Sequence, residues 1–198
     1  MEKGDLDIVG YAKWEEFLRS SISKCKRCPL HQSRTNIVPG EGNPRAQLMF
    51  VGEGPGADED RMGRPFVGRA GKRLDLWISE YLNMKRQDVY IANTVKCRPP
   101  GNRIPTDEEM AMCFPFLLAQ IEFIMPKVIV ALGKTAAVAI LGVSKATSLK
   151  LLRAENPRHQ NGYYVVITYH PAAVLRNVSY EGAVREDLML AKQLLEVG

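Results

Sequence analysis

Apolar residues along the chain follow two different periods. From Tyr11 to Ser23 they recur at helical spacing, with Trp14, Phe17, Leu18 and Ile22 on one face. Gln47-Leu48-Met49-Phe50-Val51 is instead a short continuous apolar run ending at Gly52, the pattern of a strand buried on both faces. Val89 to Ala92, Val128 to Leu132 and Tyr163 to Tyr169 repeat it. Helical patterns alternate with these runs. They cover Leu74 to Leu82, a segment opened by the capping box Thr106-x-x-Glu109 and running to Ile124, Lys134 to Leu141, and Gly182 to Val197. Pro115 predicts a kink or restart in the second of these. In the last, Val184, Leu188, Ala191 and Leu195 face inward. Residues 25–44, 53–71 and 94–105 read as loops, the second rich in glycine and the third in Pro, Arg and Lys.

Strand followed by helix, four times over, predicts an α/β fold. We expect a three-layer sandwich with a central four-stranded parallel sheet and helices on both faces. There is no repeat, low-complexity segment or second domain: residues 1–10 read as a flexible leader and 11–198 as one domain. Ligands of open parallel sheets bind at the carboxyl ends of the strands. Gly52 and Glu53 end the first strand, Asn93 the second and His170 the fourth, so residues distant in sequence converge on one edge.

The net charge of +5 leaves two readings, a polyanionic partner such as nucleic acid or simply a basic soluble protein. Met1 to Val9 is polar and acidic, unlike a signal peptide. Val128 to Val143 is broken by Gly133-Lys134-Thr135 and is too short to span a bilayer. An intracellular, cytoplasmic protein without a membrane segment is expected. In a reducing compartment four cysteines point to metal rather than disulfides. Cys25-x-x-Cys28 is a tight turn, while Cys97 and Cys113 have 15 residues between them. Four thiolates suit zinc or a [4Fe–4S] cluster, and the wide second pair argues against a zinc ribbon; four buried free cysteines are the bland alternative. Two look-alikes fail. Gly52-x-Gly54-x-x-Ala57 mimics a dinucleotide fingerprint, but Pro55 sits in the turn and Asp58-Glu59-Asp60 would repel a pyrophosphate. Gly133-Lys134-Thr135 lacks the first glycine of a P-loop, Val128 holding that position.

The ordered set Gly52-Glu53-Gly54-Pro55-Gly56, Gly63 to Gly71, Asn93-Thr94-Val95-Lys96-Cys97-Arg98-Pro99-Pro100, Asn102-Arg103 and His170-Pro171-Ala172-Ala173 resembles the uracil-DNA glycosylase superfamily. With the cysteine pattern it is most similar to that superfamily's iron–sulfur, thermostable family 4. The resemblance implies a monofunctional repair enzyme that flips uracil out of single- or double-stranded DNA and hydrolyses its N-glycosidic bond. It implies a [4Fe–4S] cluster on Cys25, Cys28, Cys97 and Cys113, with a structural role, and a monomer. Phe66 would stack on the base, and the Asn93 amide would bond O4 and N3–H of uracil, a pattern that cytosine reverses. His170 would donate to O2 as charge builds on the leaving base. Gly52, Glu53 and Gly54 would line the base and water site, with Glu53 or Asn102 positioning water. Glu59 would stand near C5 and exclude the thymine methyl. Lys96, Arg98, Asn102, Arg103 and Arg176 would contact DNA, and Leu175 would wedge into the stack. Some branches place an aspartate where this chain has Gly54, which leaves the general base unassigned. A subgroup that traps DNA through a histidine near the second motif differs here, since Gly101 to Pro105 holds none, and turnover is expected. The competing readings are a non-catalytic iron–sulfur protein that binds single strands or flipped bases, and a zinc module.

Overall fold

The computed structural model describes residues 20–197 together with Trp14, Glu16 and Leu18. The expected leader, and Phe17 of the first helix, lie outside the described residues. Trp14, Glu16, Leu18 and residues 20–23 are helical. Trp14 stacks on Phe123, with ring centroids 4.2 Å apart.

The sheet has six strands rather than four. In chain order they are β1 (Glu41–Gly42), β2 (Leu48–Gly52), β3 (Tyr90–Asn93), β4 (Val128–Leu132), β5 (Arg158–Gln160) and β6 (Tyr163–Thr168). Across the sheet they run β1-β3-β2-β4-β6-β5. The four expected strands form the parallel centre, and β1 and β5 add antiparallel edges. The added strands are too short for any apolar pattern. β5 and β6 are joined by Asn161-Gly162, both at positive φ, the hairpin turn that this dipeptide favours.

Helices cover both faces. They are α1 (Ala57–Met62), α2 (Arg69–Glu80), α3 (Asp107–Ile124), α4 (Lys134–Leu141), α5 (Leu149–Ala154), α6 (Pro171–Arg176) and α7 (Glu181–Glu196). Strand residues alternate between two cores, as a pleat requires. Met49 and Val51 pack with Leu117, Ile121, Ala137 and Ile140 of α3 and α4. Leu48 and Phe50 pack with Leu74, Trp77, Val184 and Leu188 of α2 and α7. A third cluster joins Trp14, Leu18, Ile22 and Leu30 to Val95, Cys97, Met110, Cys113 and Phe116.

Three local expectations change. α3 runs unbroken through Pro115. Its start is the capping box: Thr106 Oγ1 accepts from Glu109 N at 3.2 Å, and Glu109 Oε2 from Thr106 N at 2.8 Å. α2 starts at Arg69, earlier than its apolar pattern, because Gly71 belongs to the helix: a Cβ there would stand 1.8 Å from the Phe66 carbonyl oxygen. The glycine-rich segment also contains α1, whose first turn carries Asp58, Glu59 and Asp60 and whose end is the left-handed Gly63. Acidic residues belong at a helix N-terminus, so that charge run was a helix signal.

The order of the parallel strands matters for function. The chain passes from β2 outward to β3, then returns across β2 to β4 on the other side. That is a topological switch point, where a crevice opens beyond the carboxyl ends of neighbouring strands.

Candidate active site and four-cysteine centre

A cleft of about 730 Å³ opens at the ends of β2, β3 and β4. Glu53, Phe66, Asn93, Thr135 and His170 all line it. The ladder between β2 and β3 continues past both strands and fixes its floor. Thr94 N donates to Gly52 O at 2.9 Å, Thr94 Oγ1 to the same oxygen at 3.0 Å, and Val95 N to Glu53 O at 3.2 Å.

Asn93 is 1% exposed, and its Oδ1 is buried with no hydrogen-bond partner. A buried acceptor left unsatisfied costs about 1–3 kcal/mol, so this oxygen is a standing invitation to a donor. Its neighbours close in tightly. A Cβ on Gly52 would meet Asn93 Oδ1 and Phe66 Cζ, each at 2.5 Å. Only glycine lets the amide and the ring sit together here.

Phe66 takes φ 50°, an uncommon conformation for an aromatic residue. Three features over-determine it. Gly71 admits its carbonyl, Arg86 Nη1 donates to Phe66 O at 3.2 Å, and Arg86 Nη2 donates to Pro65 O at 2.5 Å. Arg86 is itself paired with Glu41 and Asp75. The Phe66 ring lies 5.6 Å from His170, tilted by 33°.

His170 caps α6. Its Nδ1 accepts from Ala172 N at 3.1 Å, so in the neutral ring the proton sits on Nε2. Burial, with help from nearby Arg176, pushes its pKa down to about 4. The ring is therefore a neutral donor through Nε2 near pH 7.

Glu53 Oε2 accepts from Thr135 Oγ1 at 2.5 Å. Thr135 lies in the first turn of α4, whose N-terminus favours a negative charge. Sequence reasoning missed Thr135. Its signal was present in Gly133-Lys134-Thr135, set aside as a failed P-loop, yet placed at the end of β4 beside the crevice.

Glu59 lines the cleft, but its carboxylate is committed to backbone. Oε1 accepts from Val67 N and Gly68 N, both at 2.8 Å, and Oε2 from Gly56 N at 3.1 Å. It clasps the loop that carries Phe66. Asp60, buried, accepts from Thr35 N and Asn36 N, while exposed Asp58 pairs with Arg61. Arg64 pairs with Glu41.

The expected DNA contacts divide. Lys96 is corrected: it is 1% exposed, and its Nζ donates to Asn93 O at 2.8 Å and Gln120 Oε1 at 2.6 Å. It cannot reach a phosphate, because the segment from Asn93 to Cys97 turns inward toward the cysteines. Burial lowers its pKa to about 8. Arg98 donates to Asn102 Oδ1 at 2.7 Å, and Arg103 makes a two-pronged pair with Glu109 at 2.7 and 2.8 Å. Leu175 and Arg176 are exposed at the end of α6. Arg69, Lys134 and Arg176 stand exposed on the cleft and make no ion pair among the described residues. Arg69 lies in the Gly63 to Gly71 stretch and Lys134 in Gly133-Lys134-Thr135, and neither was expected to contact DNA.

Cys25, Cys28, Cys97 and Cys113 line one small apolar cavity with Arg34, Lys96 and Phe116. Arg34 Nη1 donates to Cys97 Sγ at 3.1 Å and Lys96 N to Cys113 Sγ at 3.3 Å. Burial raises the Cys28, Cys97 and Cys113 thiols, Cys113 to about 11. Among the described residues no three His, Cys, Asp or Glu side chains form a set that could hold a single ion.

The Uracil DNA glycosylase superfamily model matches residues 39–190. The chain belongs to the uracil-DNA glycosylase superfamily. It is 49% identical over 183 residues to the Type-4 uracil-DNA glycosylase of Thermotoga maritima, covering 91% of this chain and 94% of that one. It is 43% identical over 184 residues to the Type-4 protein of Sulfurisphaera tokodaii, covering 90% and 84%. It is 32% identical over 190 residues to the Type-5 protein of Pyrobaculum aerophilum, covering 80% and 83%. The glycosylase match spans every wall of the cleft from Gly52 to Arg176.

Proposed function

We propose that this chain removes uracil from DNA, hydrolysing the bond between N1 of the base and C1′ of the sugar and leaving an abasic site. The carrying observation is Asn93, a buried amide whose Oδ1 lacks a donor at the floor of an open cleft. Uracil N3–H supplies that donor, and the Asn93 amide N–H can meet O4. Cytosine offers a lone pair at N3 and a second donor at C4, so the same amide rejects it.

The reaction follows from the neighbours. Phe66 offers an aromatic face beside the base. As the glycosidic bond breaks, its electron pair moves onto uracil and charge spreads to O2. Neutral His170 donates to that oxygen through Nε2–H, an interaction stronger in the transition state than in the ground state. Glu53, with Oε2 tied to Thr135, orients water through its other oxygen toward C1′. Water adds to C1′ and releases its proton to solvent or to Glu53. Glu59 acts on C5 only indirectly, by holding the loop around it. Lys134 is the lysine on the cleft among the described residues, exposed at the start of α4. We take the reaction as hydrolytic, without an imine.

The four thiols round one cavity, with two N–H donors already on sulfur, fit a [4Fe–4S] cluster. When bound, it would cross-link the N-terminal segment to the β3–α3 connection. Phosphate contacts fall to Arg69, Lys134 and Arg176, with Arg98, Asn102 and Arg103 at the rim and Leu175 as the wedge. We read residues 11–198 as one domain acting as an intracellular monomer. No helix among the described residues is long and apolar enough to cross a membrane.

The test is incubation of cluster-loaded protein with single- and double-stranded oligonucleotides carrying one uracil, followed by alkali, with borohydride added in parallel. Free uracil, alkali-dependent cleavage and no trapped adduct are expected. Intact oligonucleotide from loaded protein would sink the enzymatic reading. A borohydride-trapped species would replace hydrolysis with imine chemistry at Lys134.

A further inference from the structure

Lys96 is a buried charged side chain whose role neither base recognition nor phosphate binding explains. Its ammonium is buried against two acceptors, Asn93 O and Gln120 Oε1, and meets no carboxylate among the described residues. Burying an ammonium without a counter-charge is costly. The anion-forming groups beside it are thiols: its own amide donates to Cys113 Sγ, and Cys97 is the next residue. Gln120 is equally fixed, since its Nε2 donates to Pro39 O at 2.7 Å and Tyr90 Oη at 3.1 Å, which turns Oε1 toward Lys96. Val38 N donates to Lys96 O at 2.8 Å, so the backbone of Lys96 is pinned as well.

From this geometry we infer that Lys96 is a positioning residue that couples the four-cysteine centre to the base pocket, its side chain holding the Asn93 carbonyl from below while its backbone N–H holds Cys113 Sγ. One residue then spans the distance between a cluster ligand and the amide that reads the base. The centre would need no contact with DNA to influence excision. A Cys113 side chain fixed in the centre would hold the Lys96 backbone, and through the Lys96 side chain Asn93, in place. The inference rests on the proposed reading of Asn93 as the uracil-recognising residue.

Lys96→Met keeps the length of the side chain and removes its donors. Four readouts separate a positioning role from a structural one. With the cluster retained, judged by visible absorbance, kcat should fall about 10- to 100-fold, the loss of hydrogen bonds from a charged donor. KM for uracil-DNA should stay within about twofold, because phosphate contacts lie on other residues. The inhibition constant of free uracil should rise, and the reduction potential of the cluster should become more negative, since a nearby positive charge has gone. If Lys96→Met does not fold, Gln120→Met keeps the ammonium but frees it, and the same changes should appear at smaller size. Loaded Lys96→Met protein with wild-type kcat and uracil inhibition, or with lower thermal stability alone, would overturn the coupling. Absence of excision by the wild type would remove the glycosylase reading instead, while the shift in potential would still report on the loss of the Lys96 charge.

Discussion

Replacing Asn93 by alanine should separate function from stability, and the structure gives the size of both effects. In the folded protein Asn93 Oδ1 is buried without a donor, a penalty of about 1–3 kcal/mol. Alanine removes that penalty and also removes packing against Phe66 and Gly52. The two changes oppose, so the net effect on stability should stay within about 1 kcal/mol, and the shift in Tm within about 4 °C for a domain of this size. Activity should behave differently. In the transition state the amide would hold two edges of a base that is becoming negative, worth about 3–5 kcal/mol together. That corresponds to about 10²- to 10⁴-fold in single-turnover excision. The assay pairs single-turnover cleavage of a uracil oligonucleotide with thermal unfolding of the same preparation, and with inhibition by free uracil, which the variant should lose. A variant within about tenfold of wild type would refute base recognition by this amide. A loss of more than about 2 kcal/mol of stability would refute it differently, by making Asn93 a structural strand-end residue.

Three further outcomes follow from the same site. Gly52→Ala would push a methyl group into Asn93 Oδ1 and Phe66 Cζ, each 2.5 Å away, so it should lose excision severely and about 1–3 kcal/mol of stability by denaturant titration. His170 has a folded-state pKa lowered to about 4 by burial, against about 6.5 when unfolded, so the unfolded chain binds the extra proton first. Its contribution is therefore fully present above pH 6.5 and is lost as pH falls toward 4, by at most about 3 kcal/mol; His170→Gln should flatten that slope in pH-dependent unfolding, and an unchanged slope would refute it. Cys113→Ser should abolish or bleach the visible absorbance of purified protein and lower its Tm, while retention of full colour and stability would remove Cys113 from the centre.

Much of this was written in the sequence because the central strands are buried on both faces. Leu48 to Val51 and Val128 to Leu132 are apolar at every position, and their shortness and flanking turn residues mark them as buried strands rather than helices. The carboxyl ends of the parallel strands then place Gly52, Asn93 and His170 at one edge of the sheet. What stayed hidden had a different physical origin in each case. β1 holds two residues and no pattern can mark it, whereas the β5–β6 hairpin had an unread signal in Asn161-Gly162. Glu59 was expected beside C5 of uracil, but side-chain-to-backbone bonds leave no periodic trace, and both Glu59 and Asp60 spend their charge on loop amides. Lys96 is the instructive error. Lysine is almost never fully buried, so a basic residue in a polar loop reads as a phosphate contact. Here Cys97 enters the cysteine cavity and Lys96 is buried beside it, its side chain held by Asn93 O and Gln120 Oε1. The motif thus fixes the position of Lys96 through its neighbour's chemistry. Its ammonium is spent on Asn93 O and Gln120 Oε1 rather than on DNA.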